Sequence, residues 1–237
     1  MQYFGGKQRI ASEIAPIIQL LRGDRPYFEP FVGGANVVTR ITGGVRIAAD
    51  VVPELIALYR ALQEGWTPPR SLTKDEYRAI KADPTPTPLR GFAAFGCSFA
   101  GKYFGGYAGK DSRSTRCYAT NAANGLEKKR VGLMGCALMC GDYRTFTPKG
   151  CLIYCDPPYR GTTAYAGAGK FNSDEFWGRC REWAKNNVVL VSEYDAPVDC
   201  TVVCWEKEVR TEIRGKEGRL PRIERLYQVI PEDIDNV

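Results

Sequence analysis

Cys151-Leu152-Ile153-Tyr154-Cys155, followed by Asp156-Pro157-Pro158-Tyr159, is the stretch that decides how this chain folds. Five apolar residues bounded by a turn signal read as a short buried strand, and two prolines then stop it. A carboxylate, a stiff corner and an aromatic ring are delivered together at the strand's C-terminal edge. In open α/β sheets, ligands bind at that edge.

On both sides of this strand, strand and helix patterns alternate. Ile10, Ile14, Ile17, Ile18 and Leu21 recur at helical spacing, with Pro16 placed to kink or divide the helix. Residues 27–31 read as a strand that leads into Val32-Gly33-Gly34-Ala35, and residues 45–50 as a second strand ending on Asp50. Pro53 suits the first turn of a helix striped by Leu55, Leu58, Tyr59 and Leu62. Asn172 and Glu175 have capping-box spacing ahead of Phe176, Trp177, Cys180, Trp183 and Ala184, in which Trp177 and Trp183 read as core. Residues 188–191 are a further buried strand, and residues 201–209 and 223–230 read as a closing antiparallel pair. From about residue 65 to 137 the periodicity degrades into an irregular, basic middle. The class is α/β.

The 237 residues suit one large domain or one domain with an insertion, and 44% apolar content supports a real core. No apolar run approaches the roughly 18 residues of a membrane span. Met1-Gln2-Tyr3-Phe4-Gly5-Gly6-Lys7 shows no signal-peptide hydrophobic region, so the expected location is cytoplasmic. Nine cysteines without a histidine read as buried reduced thiols, not as a disulfide framework or a zinc site. No metal is expected. Without histidine, Ser-His and Cys-His nucleophilic catalysis is excluded; Cys155 reads as a small apolar strand residue. Lys102, Lys110, Arg113, Arg116, Lys128, Lys129 and Arg130 face only Asp111 and Glu127 in their segment, which therefore holds five of the six net positive charges. A basic patch of this kind predicts a polyanionic partner, nucleic acid. Tyr103, Phe104 and Tyr107 interleave with Lys102 and Lys110, a pattern suited to phosphate and base contacts.

Gly33-Gly34 after the first strand lets backbone approach a ligand closely, and Asp50, 17 residues beyond Gly33, is placed to accept from ribose hydroxyls. The dinucleotide fingerprint G-x-G-x-x-G is absent. Phe4-Gly5-Gly6-Lys7 is a second glycine turn that can set an amide and an ammonium beside a ligand carboxylate. At the central strand, a carboxylate accepting an exocyclic amine N–H, aided by the Pro157 carbonyl, can draw a conjugated nitrogen towards sp3 character. Tyr159 can stack on the base once it has left the duplex.

Phe4-Gly5-Gly6-Lys7, Glu29-Pro30-Phe31-Val32-Gly33-Gly34, Asp50 and Asp156-Pro157-Pro158-Tyr159, in this order, resemble the Dam-type, alpha-group DNA adenine-N6 methyltransferases. The resemblance spans roughly residues 1–62 and 140–230. It implies a Rossmann-like S-adenosylmethionine-dependent methyltransferase fold, with a mostly parallel sheet and a terminal antiparallel hairpin. Residues 1–62 and 139–237 would form the catalytic domain, and residues 63–138 an inserted, mainly helical target-recognition region.

By the same resemblance, Tyr3, Phe4, Gly6, Lys7, Phe31, Gly33, Gly34, Asp50, Asp142, Tyr143 and Asp156 fall at the cofactor, and Asp156, Pro157, Pro158 and Tyr159 form the catalytic motif. Tyr3 stands where many members have tryptophan, and Gly33-Gly34-Ala35-Asn36 departs from the common Gly-x-Gly. Gly141-Asp142-Tyr143 resembles the family's Gly-Asp-Phe element, and Ser192-Glu193-Tyr194-Asp195 its Ser-Asn-x-Asp-like segment. Lys102, Tyr103, Tyr107, Lys110, Arg113, Arg116, Lys128, Lys129 and Arg130 are the candidate DNA contacts. The implied activity is methylation of the N6 amine of an adenine flipped out of double-stranded DNA, in a bacterial or phage setting. A partner restriction endonuclease fits such a protein. Cytosine-N4 methylation and a silent DNA-binding protein of the same fold are the alternatives.

Overall fold

The computed structural model describes residues 1–109, 117–158, 171–210 and 221–231. Tyr159, Lys110, Arg113 and Arg116 lie outside the described residues. In chain order the main elements are α1 (Ala11–Arg22), β1 (Tyr27–Glu29), β2 (Arg46–Asp50), α2 (Pro53–Gln63), α3 (Lys74–Ala82), α4 (Pro88–Gly91), α5 (Tyr118–Leu133), β3 (Ala137–Cys140), β4 (Leu152–Cys155), α6 (Ser173–Ala184), β5 (Val188–Glu193), β6 (Thr201–Arg210) and β7 (Pro221–Val229).

The strands form one sheet in the order β3-β2-β1-β4-β5-β7-β6. β1 to β5 run parallel, and β7 is antiparallel to both of its neighbours, β5 and β6. This is a Rossmann-like, mostly parallel sheet closed by an antiparallel hairpin, as expected. The order reverses between β1 and β4, and such a switch point opens a crevice at the strands' C-terminal ends.

Period-two alternation assigns the side chains to two cores. Tyr27, Ala48, Leu152, Tyr154 and Leu190 point to the face covered by α1, α2 and α5. Phe28, Ala49, Ile153, Cys155, Val189 and Val191 point to the other, covered by α6 through Phe176, Trp177, Cys180 and Trp183. β4 is buried on both faces, which is why it reads as an unbroken apolar run. Trp177, Trp183 and Cys155 are core residues.

α1 runs through Pro16 as one helix, so the proline does not divide it. Buried Ile14, Ala15 and Ile18 hold it against the sheet and offset the one hydrogen bond that proline removes. The irregular middle does not pack as a separate body. Phe92, Phe95, Ala119, Ala122 and Leu126 join the same core as α1 and α2, and β3 begins at Ala137, inside the span assigned to recognition. No helix among the described residues is long and apolar enough to cross a membrane.

Candidate active site

Three carboxyl groups stand at or just past the C-terminal ends of adjacent strands: Glu29 on β1, Asp50 on β2 and Asp156 after β4. They line one cleft of about 1030 Å³, its solvent-open part included. Tyr3, Gly6, Lys7, Phe31, Gly33, Gly34, Asp142, Tyr143 and Pro158 line the same cleft. Of the cofactor candidates, Phe4 is absent from it; its ring lies under the Lys102 ammonium, 4.6 Å away.

Asp50 organises the glycine loop. Its Oδ2 accepts from the Gly33 amide and its Oδ1 from the Val52 amide, both at 3.0 Å. Val52 precedes the first turn of α2, so the carboxylate also faces a helix N-terminus. Burial pushes Asp50 up to about 6, against these two amides. Gly33 has a φ of +43°, and a Cβ there would meet the Tyr3 ring at 2.9 Å. A Cβ on Gly34 would meet the Asn36 amide at 2.8 Å and Tyr3 at 3.0 Å. Both glycines are therefore required by the close approach of Tyr3, whose ring stacks on Phe95 at 4.9 Å. Phe31 and Tyr143, with ring centroids 5.1 Å apart, form an aromatic wall of the cleft. Beside them Asp142 is paired with Arg144, which holds it below the usual carboxylate range.

Asp156 is paired differently. The Lys7 ammonium lies 2.6 Å from Asp156 Oδ1 and 3.0 Å from Glu224 Oε1 on β7. Burial pushes Asp156 up to about 6, with Lys7 opposing the shift and Glu224 adding to it. Burial alone would lower Lys7, but the two carboxylates outweigh it and raise its pKa. The ammonium expected beside a ligand carboxylate is thus engaged by protein carboxylates.

The comparisons with known proteins bear on this cleft. Residues 3–83, which carry Lys7, the glycine loop and Asp50, match the family model of the D12 class N6 adenine-specific DNA methyltransferases. The matched stretch is about a third of the chain. A search of curated proteins finds no match. Among solved structures, the chain is similar to the rRNA methyltransferase aviRa from Streptomyces viridochromogenes, at 16% identity and a TM-score of 0.42, over 93% of this chain and 84% of that one. PH1948 from Pyrococcus horikoshii, a proposed RNA methyltransferase, aligns at 11% identity and a TM-score of 0.42, over 93% and 83%. SMU.472, a proposed methyltransferase complexed with SAH, aligns at 12% identity and a TM-score of 0.34, over 98% and 56%.

The cleft's donor set fits S-adenosylmethionine as a ligand. Asp50 keeps lone pairs after its two amide bonds, the glycine loop lies open to close approach, and Phe31 and Tyr143 offer apolar ring surface.

Several candidate DNA contacts turn inward. Lys129 donates to the Gly34 carbonyl and, at 2.8 Å, to Asn36 Oδ1, so it braces the glycine loop from α5. Burial, and then Arg40, lower it to about 8. Arg130 donates to the carbonyls of Leu62 (2.9 Å) and Trp66 (2.7 Å) and pairs with Glu127. The Tyr103 hydroxyl donates to Glu54, which also pairs with Arg90, and Tyr107 donates to the Leu72 carbonyl at 2.6 Å. Both tyrosines are half-buried, with their hydroxyls bonded within the protein. Lys102 and Lys128 are exposed. In the Ser192–Asp195 segment, Ser192 bonds Tyr154 at 2.9 Å, and Glu193 and Tyr194 line a second cleft with Arg222 and Trp177.

Glu29, Asn36 and Glu224 were not singled out from the sequence as site residues. Glu29 accepts from the Tyr27 hydroxyl at 2.7 Å, and burial carries it up to about 8.

Proposed function

We propose that this protein transfers a methyl group to the N6 amine of an adenine flipped out of double-stranded DNA, with Asp156 addressing the amine. The observation that supports this most is the Asp156 carboxylate at the rim of the cleft shaped by Asp50 and the glycine loop. When bound, S-adenosylmethionine supplies an electrophilic sulfonium methyl. Asp50 would accept from its ribose hydroxyls, and Phe31 and Tyr143 would face its base. Asp156 would accept an amine N–H through Oδ2, since Oδ1 is on Lys7, and the Pro157 carbonyl would take the other. Together they aim the nitrogen lone pair along the methyl's path. Asp156 would also take the proton that leaves the nitrogen as the new N–C bond forms. Tyr159 would stack on the flipped base.

This role requires ionised Asp156. The acid limb of kcat/KM is expected near pH 6, about two units above an ordinary aspartate's 3.8, with activity falling as pH drops through it. A limb near pH 4 would contradict the assigned acceptor. The same raised values mean that burying Asp50 and Asp156 costs stability as pH rises from 3.8 through about 6, because the folded state holds these protons more tightly than the unfolded one.

The DNA surface yields a second expectation. Neutralising Lys102 and Lys128 should weaken DNA binding and reduce the slope of log K against log salt by about 0.9 for each lost phosphate contact. Lys129→Met should leave that slope unchanged and weaken cofactor binding. Equal salt slopes for wild type and the Lys102/Lys128 variant would move the DNA elsewhere on the molecule.

Sequencing DNA from cells that express the chain tests the function itself. Modified adenines at a recurring site are expected. Modified cytosines alone would favour N4 methylation, and unmodified DNA a silent binding protein.

A further inference from the structure

Lys7 is buried at the site's base, where one ammonium is shared by two carboxylates on different strands. Glu224 comes from β7, the reversed strand of the closing hairpin, and is itself 7% exposed. β7 pairs with β5, and β5 pairs with β4, which carries Asp156 at its end. The hairpin thus sends a charged side chain back under the active site. Burying a third charge costs free energy that a hairpin needed only to complete the sheet would not incur.

We infer that Glu224 is a positioning residue for methyl transfer: it holds one side of the Lys7 ammonium, keeps that cation on Oδ1 of Asp156, and so reserves Oδ2 for the substrate amine. The inference rests on the reading of Asp156 as amine acceptor. A lysine ammonium has three donors on a flexible stem. Without Glu224 it can bridge both oxygens of Asp156 and compete with the amine for Oδ2. More of its charge would also fall on Asp156 and weaken it as an acceptor. Besides Lys7, the ionisable groups among the described residues that face this cluster include Glu29 from β1, Tyr154 and Cys155 from β4 and Tyr194 after β5. Of Glu224 and Lys7, the two charges that act on Asp156 most directly, Glu224 raises its pKa and Lys7 lowers it.

Glu224→Gln keeps the shape and removes the charge. With cofactor and DNA both saturating, kcat should fall roughly ten- to a hundredfold, the scale of one lost hydrogen bond to a charged group. The acid limb of the rate should move to lower pH, since the group that raises Asp156 is gone, and cofactor affinity should stay at the wild-type value. An unmoved limb, with or without a loss of melting temperature, would reduce Glu224 to a structural brace and overturn the inference. Should Glu224→Gln not fold, Glu224→Asp carries the test: the charge stays but withdraws by one methylene, so the limb should remain near the wild-type position while kcat drops. A wild-type kcat in that variant would overturn the inference equally. Failure of the underlying reading is distinguishable, because Asp156→Ala would then keep the wild-type rate, or the wild-type protein would transfer no methyl to adenine.

Discussion

Replacing Asp156 with alanine or asparagine is expected to abolish methyl transfer and leave the protein folded. The carboxylate is the acidic side chain of the cleft that sits on the Asp-Pro-Pro corner, and its loss removes the acceptor that makes a conjugated amine nucleophilic. Removing a positioned acid or base group lowers kcat by roughly 10²–10⁴-fold. The fold survives because the buried ammonium of Lys7 keeps Glu224 as a partner at 3.0 Å, so the substitution strands no charge. Tritiated methyl transfer to DNA measures the first effect, and far-UV circular dichroism with thermal unfolding the second. A variant with the wild-type rate would remove Asp156 from the mechanism.

Asp50→Ala should damage both binding and stability. It orphans the buried amides of Gly33 and Val52, each now bonded at 3.0 Å. Hydrogen bonds to charged groups contribute roughly 1.5–3 kcal/mol each, and the buried carboxylate's own desolvation offsets part of that, so unfolding free energy should fall by about 2–4 kcal/mol. The loop that cradles the ligand loses its anchor at the same time. The dissociation constant for S-adenosylmethionine should rise at least roughly tenfold, one hydrogen bond to a charged group being worth that much. Urea denaturation and titration calorimetry read the two effects. Wild-type cofactor affinity in a folded variant would show that Asp50 serves only the loop.

Much of this site is legible because its residues sit at strand ends, where local pattern and chemistry coincide. Asp50 ends an apolar strand and Asp156 follows one. Glu224 is hidden for the opposite reason. It lies mid-strand on a half-polar hairpin, and nothing local links it to Lys7, 217 positions earlier. β3 escaped notice because it is a four-residue edge strand with one buried side chain, Leu138. α5 escaped because small residues do its packing: Ala119, Ala122 and Ala123 draw no apolar stripe.

Other signals were present and went unused. Thr73 and Glu76 form a reciprocal capping box that opens α3, and their spacing is a plain start signal. Lys129 lies three residues after buried Leu126 and seven after buried Ala122, on the helix's inner face, whereas Lys128 falls off that face. Helical periodicity alone therefore separates an exposed lysine from one that braces the cofactor loop. Tyr103 and Tyr107 gave no such hint, since Glu54 and the Leu72 carbonyl reach them only through the tertiary fold.

The most direct test is transfer of a tritiated methyl from S-adenosylmethionine to unmethylated duplex DNA by the purified protein, followed by nucleoside analysis. Label in N6-methyladenine, absent with Asp156→Ala, is the predicted result. Label in N4-methylcytosine, or cofactor binding without transfer, would contradict it.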